Sequence, residues 1–153
     1  MHTFLRAAFV CALFAAGCGT DLVECPSEAC ACAGDNCSCE AGGACRFDSG
    51  NSANLNCGAG ATCEGGCQES CNVTCESGAQ CTYTGSQSNN VECRGADCTL
   101  TVGASSNVTC TMGANCDVTC TGDCNVSCSG AGSCRLTCPG GATVDVEGDD
   151  QCG

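Results

Sequence analysis

The sequence predicts an all-β fold, a small disulfide-rich parallel β-solenoid with coils of ~18 residues and two short strands per coil. Three observations lead there. An eighteen-residue frame recurs along most of the chain; Cys and Gly supply 24 and 22 of its 153 residues; and short segments alternate Cys or aliphatic residues with polar ones at period two. With four Phe, one Tyr and no Trp, the chain lacks the means to fill an ordinary core. Cross-links are expected to replace the missing burial.

The frame is plainest at Asn107, where NVTCTMGANCDVTCTGDC is followed from Asn125 by NVSCSGAGSCRLTCPGGA. Earlier copies begin at Asn36, Asn54, Asn72 and Asn90, the last one residue short. Residues 36–142 are therefore six repeats, and 143–153 read as a truncated C-terminal repeat. Within the repeats, CDVTC from Cys116 places Cys116, Val118 and Cys120 on one face of a strand, with Asp117 and Thr119 on the other. CNVSC from Cys124, CRLTC from Cys134, CNVTC from Cys71 and CTYT from Cys81 repeat that alternation. Gly-rich turns such as ESGAQ and SGAGS separate them. So small a coil encloses little more than one layer of Val, Leu and Cys, and large aromatics are mostly not expected inside. Stacked at ~4.8 Å, the aligned Asn36, Asn54, Asn72, Asn90, Asn107 and Asn125 form either an amide ladder or a set of residues that merely suit a turn.

Co-occurrence of cysteines suggests how they pair. Every complete copy has Cys at its fourth position (Cys39, Cys57, Cys75, Cys93, Cys110, Cys128) and at its tenth (Cys45, Cys63, Cys81, Cys98, Cys116, Cys134). The fourteenth and eighteenth positions hold Cys67 with Cys71 and Cys120 with Cys124, while the copies from Asn36, Asn72 and Asn90 have Cys at neither. Bonds inside each coil explain positions that come and go together. Bonds between equivalent cysteines of neighbouring coils remain a rival, since that spacing also suits a disulfide. Cys138 and Cys152, both without partners in the frame, are expected to bond to each other. Of the rest, Cys25 pairs with either Cys30 or Cys32, and Cys37 with the other.

Residues 1–17 read as a leader: MHTFLR carries Arg6, AAFVCALFAA is a short apolar run, and Ala15, Ala16 and Gly17 precede Cys18. This resembles a bacterial lipoprotein signal peptide, which implies lipidation at Cys18 and a membrane partner through that anchor. Removing Cys11 with the leader and committing Cys18 to a thioether leaves 22 cysteines, an even number. Residues 18–35 do not fit the frame and read as a lipidated tether and N-terminal cap. Leader and repeats together resemble cysteine-rich repeat lipoproteins of Gram-negative bacteria of the myxobacterial type, a group with no established activity. The resemblance implies an exported protein at the outer membrane or cell surface. Gly19 rather than Asp after the lipidated Cys fits outer-membrane placement.

Several function classes lose ground on composition. Acidic residues outnumber basic ones 17 to 4, which disfavours nucleic acid as a partner. Beyond His2 there is no His, and there is no Lys, so a catalytic reading rests on scattered acids such as Asp117 and Glu92, and no enzyme and no cofactor are expected. Two alternatives to a structural or adhesive rod are kept. CACAGDNCSC from Cys30 is similar to metallothionein clusters and suits a soft cation if its thiols are free. Outward Thr82, Thr84, Thr99, Thr101, Thr119 and Thr137 are similar to the threonine ladders of insect antifreeze proteins, though Arg46, Asp48, Glu64, Asp117 and Arg135 interrupt them. The acidic stretch DVEGDDQ from Asp145 is at most a weak Ca²⁺ site.

Overall fold

A computed structural model describes residues 30–33 and 35–153. The leader, Cys18 and Cys25 lie outside the described residues. The described residues contain strands and turns and no helix. Ahead of the first coil lies β1 (Cys30–Ala33). Each coil then adds a pair: β2 (Asn36–Cys39) with β3 (Ala44–Asn51), β4 (Asn54–Cys57) with β5 (Thr62–Glu69), and β6 (Asn72–Cys75) with β7 (Gln80–Gln87). The next pairs are β8 (Asn90–Arg94) with β9 (Asp97–Val102), β10 (Ser106–Thr111) with β11 (Asn115–Cys120), and β12 (Cys124–Ser127) with β13 (Ser133–Thr137). Two strands follow, β14 (Thr143–Asp145) and β15 (Asp149–Cys152).

First strands stack on first strands and second on second, so the chain is a parallel β-solenoid with two sheets. One sheet runs β1-β2-β4-β6-β8-β10-β12-β15 and the other β14-β13-β11-β9-β7-β5-β3. Register follows the frame: Asn72 lies beside Asn54 and Asn90, and Cys81 beside Cys63 and Cys98. The alternation explains why each strand forms, since Cys116, Val118 and Cys120 are buried while Asn115 is exposed. The corners bind coil to coil as well. Gly60 and Gly78, both with positive φ, donate backbone N–H groups to the carbonyls of Ser77 and Gly95. Ser52, Ser70, Ser88 and Ser105, also left-handed, donate to Glu69, Gln87, Ala104 and Asp123 at the opposite corner.

The six asparagines form a ladder. Asn54 donates its amide to Asn36 at 2.8 Å, Asn72 to Asn54 at 2.9 Å, Asn90 to Asn72 at 3.2 Å, Asn107 to Asn90 at 3.1 Å and Asn125 to Asn107 at 3.2 Å. A central member both donates and accepts, which Asp cannot do when ionised. Asn90→Asp is therefore expected to lower stability by about 1 kcal/mol at neutral pH. Protonation below pH about 4 should recover part of the loss, read by chemical denaturation at both pH values.

Two expectations need correction. Aromatic residues do enter the coil: Phe47 and Tyr83 are 4% and 3% exposed. They fit because Gly65 lies between them in the stack, and a Cβ there would meet the Phe47 carbonyl oxygen at 2.2 Å. One empty position makes room for two large ones. Residues 143–153 also do not stack as a seventh, truncated coil. After Pro139 the chain turns through Gly140 and Gly141, at φ 101° and 84°, with Cys138 donating N–H to the Ala142 carbonyl at 3.0 Å. That tight reversal sends β14 antiparallel over β13 and β15 antiparallel over β12, so Cys152 lies beside Cys124. Both edges of the last coil are thereby covered.

Candidate functional site

The candidate functional residues lie in the interior column of sulfurs and on the two outward sheet faces. Inside, the fourth and tenth positions of each coil are joined: Cys39–Cys45, Cys57–Cys63, Cys75–Cys81, Cys93–Cys98, Cys110–Cys116 and Cys128–Cys134. Fourteenth and eighteenth positions are joined as Cys67–Cys71 and Cys120–Cys124. Cys138 bonds to Cys152 and Cys32 to Cys37. Cys30 is disulfide-bonded too. Strands on opposite sides of a narrow coil set Cα separations of 5.8–6.6 Å for the fourth-to-tenth pairs, inside the range a disulfide spans.

Neighbouring sulfurs crowd together. Cys75, Cys81 and Cys98 lie within 4.8 Å of one another, as do Cys110, Cys128 and Cys134. Such trios have the spacing of a soft-metal site, but each sulfur is bonded to another. A disulfide sulfur lacks the thiolate charge that holds Zn²⁺ or Cu⁺. These cysteines become ligands only after reduction.

Coils without the second disulfide fill its space differently, which the sequence did not reveal. In the coil from Asn72, Gly85 and Asn89 stand where others have Cys, and the Asn89 side chain is fully buried. Its Oδ1 accepts from the Cys71 backbone N–H and from the Tyr83 hydroxyl, both at 3.1 Å. A Cβ on Gly85 would meet Asn89 Nδ2 at 2.5 Å, so the missing side chain at one position admits the long one at the other. The signal in the sequence is a Gly and an Asn that replace the paired cysteines together. Burial also raises the Tyr83 phenol above its ordinary value of 10.0. An unfolded chain ionises near that value, so stability is expected to fall as pH rises beyond about 10. Absorbance at 295 nm should show no phenolate in the folded protein at pH about 11. Tyr83→Phe is expected to cost about 1 kcal/mol by denaturant titration.

Outside, the threonines divide into two ranks. Thr84, Thr101, Thr119 and Thr137 lie in register on four successive strands. The adjoining rank has Thr82 beside Thr99, then Asp117 and Arg135, which form an ion pair. Arg46 and Glu64 head that rank, and Asp48 and Gly66 head the other. The continuous hydroxyl surface is thus one rank wide over four coils. Glu92 lies on the other sheet, held by Arg94 through two hydrogen bonds of 2.7 Å. With Asp117 and Glu92 on different sheets and each engaged by an arginine, they form no carboxylate pair of the kind glycoside hydrolysis uses. In the acidic stretch, Asp149 accepts from the Ser127 hydroxyl at 2.6 Å, and Asp145 lies beside Arg135. No protein-family model matches the chain, and no curated protein or solved structure matches it either.

Proposed function

We propose that this chain is a non-catalytic cell-envelope lipoprotein, anchored through Cys18, whose disulfide-stapled rod has a structural or adhesive role. The observation that carries this reading is the closed disulfide in every coil, which suits an oxidising compartment outside the cytoplasm. The leader supplies export and the outer membrane or cell surface supplies the location. No cofactor is involved, and the acidic exterior keeps the rod from nucleic acid. Intact mass before and after reduction, with alkylation, tests the whole reading at once. Expected are a lipid adduct on Cys18, no alkylation of the native protein and alkylation of 22 cysteines after reduction. Free thiols in the native protein would support the metal-binding alternative instead.

The four-coil threonine register favours ice binding as a second reading. Ions at Asp117 and Arg135 interrupt the adjoining rank, so the flat surface offered to a crystal is narrow. Thermal hysteresis of the purified protein decides it: a freezing gap supports ice binding, and none returns the threonines to an ordinary solvated face.

A further inference from the structure

The corner between the first and second strand of a coil is made of small residues: Ala59, Gly60 and Ala61 in one coil, Ser77, Gly78 and Ala79 in the next, and Gly130, Ala131 and Gly132 in the coil from Asn125. The coil from Asn107 places Met112 at this corner, ahead of Gly113 and Ala114. Met112 has a φ of 56° and is 75% exposed, more than any other large apolar side chain among the described residues. A left-handed backbone strains a residue with a Cβ unless a short polar side chain such as that of Asn relieves it. Packing does not offset that strain. Gly113 donates its N–H to the Gly130 carbonyl at 2.7 Å, and Gly95 donates to the Thr111 carbonyl at 2.9 Å. Glycines thus flank Met112 in the coils on either side and give its side chain nothing to rest on. A strained residue that the fold does not need points to a use for the side chain itself.

We propose that Met112 is a surface oxidation site, where the thioether takes an oxygen atom from a peroxide. A sulfur lone pair attacks one peroxide oxygen, the S–O bond forms as the O–O bond breaks, and the departing hydroxide takes the remaining proton and leaves as water. Sulfur is oxidised by two electrons and hydrogen peroxide is reduced to water. The sulfurs of the described cysteines are already oxidised to disulfides, so Met112 is the one reduced sulfur among the described residues. Its surroundings also suit repeated use. A sulfoxide is polar and disrupts a core, whereas at this exposed corner it turns to water and leaves the hydrogen bonds of Thr111 and Gly113 in place. A methionine sulfoxide reductase reaches the same exposed group; there a dithiol is oxidised to a disulfide, and the oxygen leaves as water.

Treatment of the native full chain with hydrogen peroxide, followed by peptide mass mapping, tests the site. Met112 should gain one oxygen atom at a rate within about threefold of N-acetylmethionine amide, ahead of every cysteine. The oxidised protein should keep its circular dichroism and its urea midpoint, and a methionine sulfoxide reductase should return the original mass. Met112→Asn should abolish the oxygen uptake and leave the midpoint unchanged or raised, because Asn tolerates the left-handed backbone. A rate more than about tenfold below the model compound would show a covered sulfur and overturn the proposal. Oxygen uptake at a cysteine before Met112, or a midpoint lowered by the sulfoxide or by Met112→Asn, would also overturn it, since the side chain would then be serving the fold.

Discussion

After reduction in denaturant, the protein is expected to remain unfolded when the denaturant is removed and the reductant kept. The β signature in circular dichroism should be absent at room temperature. Each short loop closed by a disulfide restricts the unfolded chain by ~2 kcal/mol, while a whole domain is stable by only about 5–15 kcal/mol. Opening a bond in every coil thus outweighs the net stability, even after discounting for non-additivity. The remaining apolar interior is one layer thick: Phe47, Tyr83, Leu100, Val118 and Leu136 on one sheet, Leu55, Val73, Val91, Val108 and Val126 on the other, and Val102 and alanines at the corners. Recovery of the β signature in the reducing buffer would place the stability in stacking and coil-to-coil hydrogen bonds instead.

Gly103→Ala is expected to be the most damaging small substitution. A Cβ there would lie 1.3 Å from the Ser86 carbonyl oxygen and 2.5 Å from its carbon, backbone atoms that cannot step aside. Gly103 also donates its N–H to the Gly85 carbonyl at 3.0 Å, so moving it away breaks a bond between coils. A loss of about 3 kcal/mol or more follows, lowering the melting temperature by about 10 °C. Gly148→Ala is the control. Nothing lies within 4 Å of its added Cβ, and a change within about 0.5 kcal/mol is expected in thermal melts.

The coil architecture was legible because a solenoid writes its geometry as a period. The Asn36-to-Asn125 ladder and the strand faces follow from residues eighteen apart standing beside one another. Departures from the period were harder to read. Gly65 sits in a strand so that Phe47 and Tyr83 can occupy the space above and below. The Asn89 amide fills the volume that Gly85 leaves. Both depend on contacts between successive coils, which a comparison of copies position by position does not weigh. The C-terminal lap departs from the period for a related reason. Pro139, Gly140 and Gly141 form a reversal signal at a corner where other coils continue upward, and that signal outweighs the match of 143–153 to the frame. On the candidate site, the sequence located the threonines and acids but not their grouping, because grouping is set by register and by arginine partners such as Arg94 and Arg135.

Each coil is separately closed by its own disulfide, and partial reduction followed by alkylation and mass mapping reads that pairing bond by bond. Cys57 should be found joined to Cys63, Cys75 to Cys81 and Cys93 to Cys98. Since Cys81 and Cys98 lie in neighbouring coils with sulfurs within 4.8 Å, a bond between those two would contradict it.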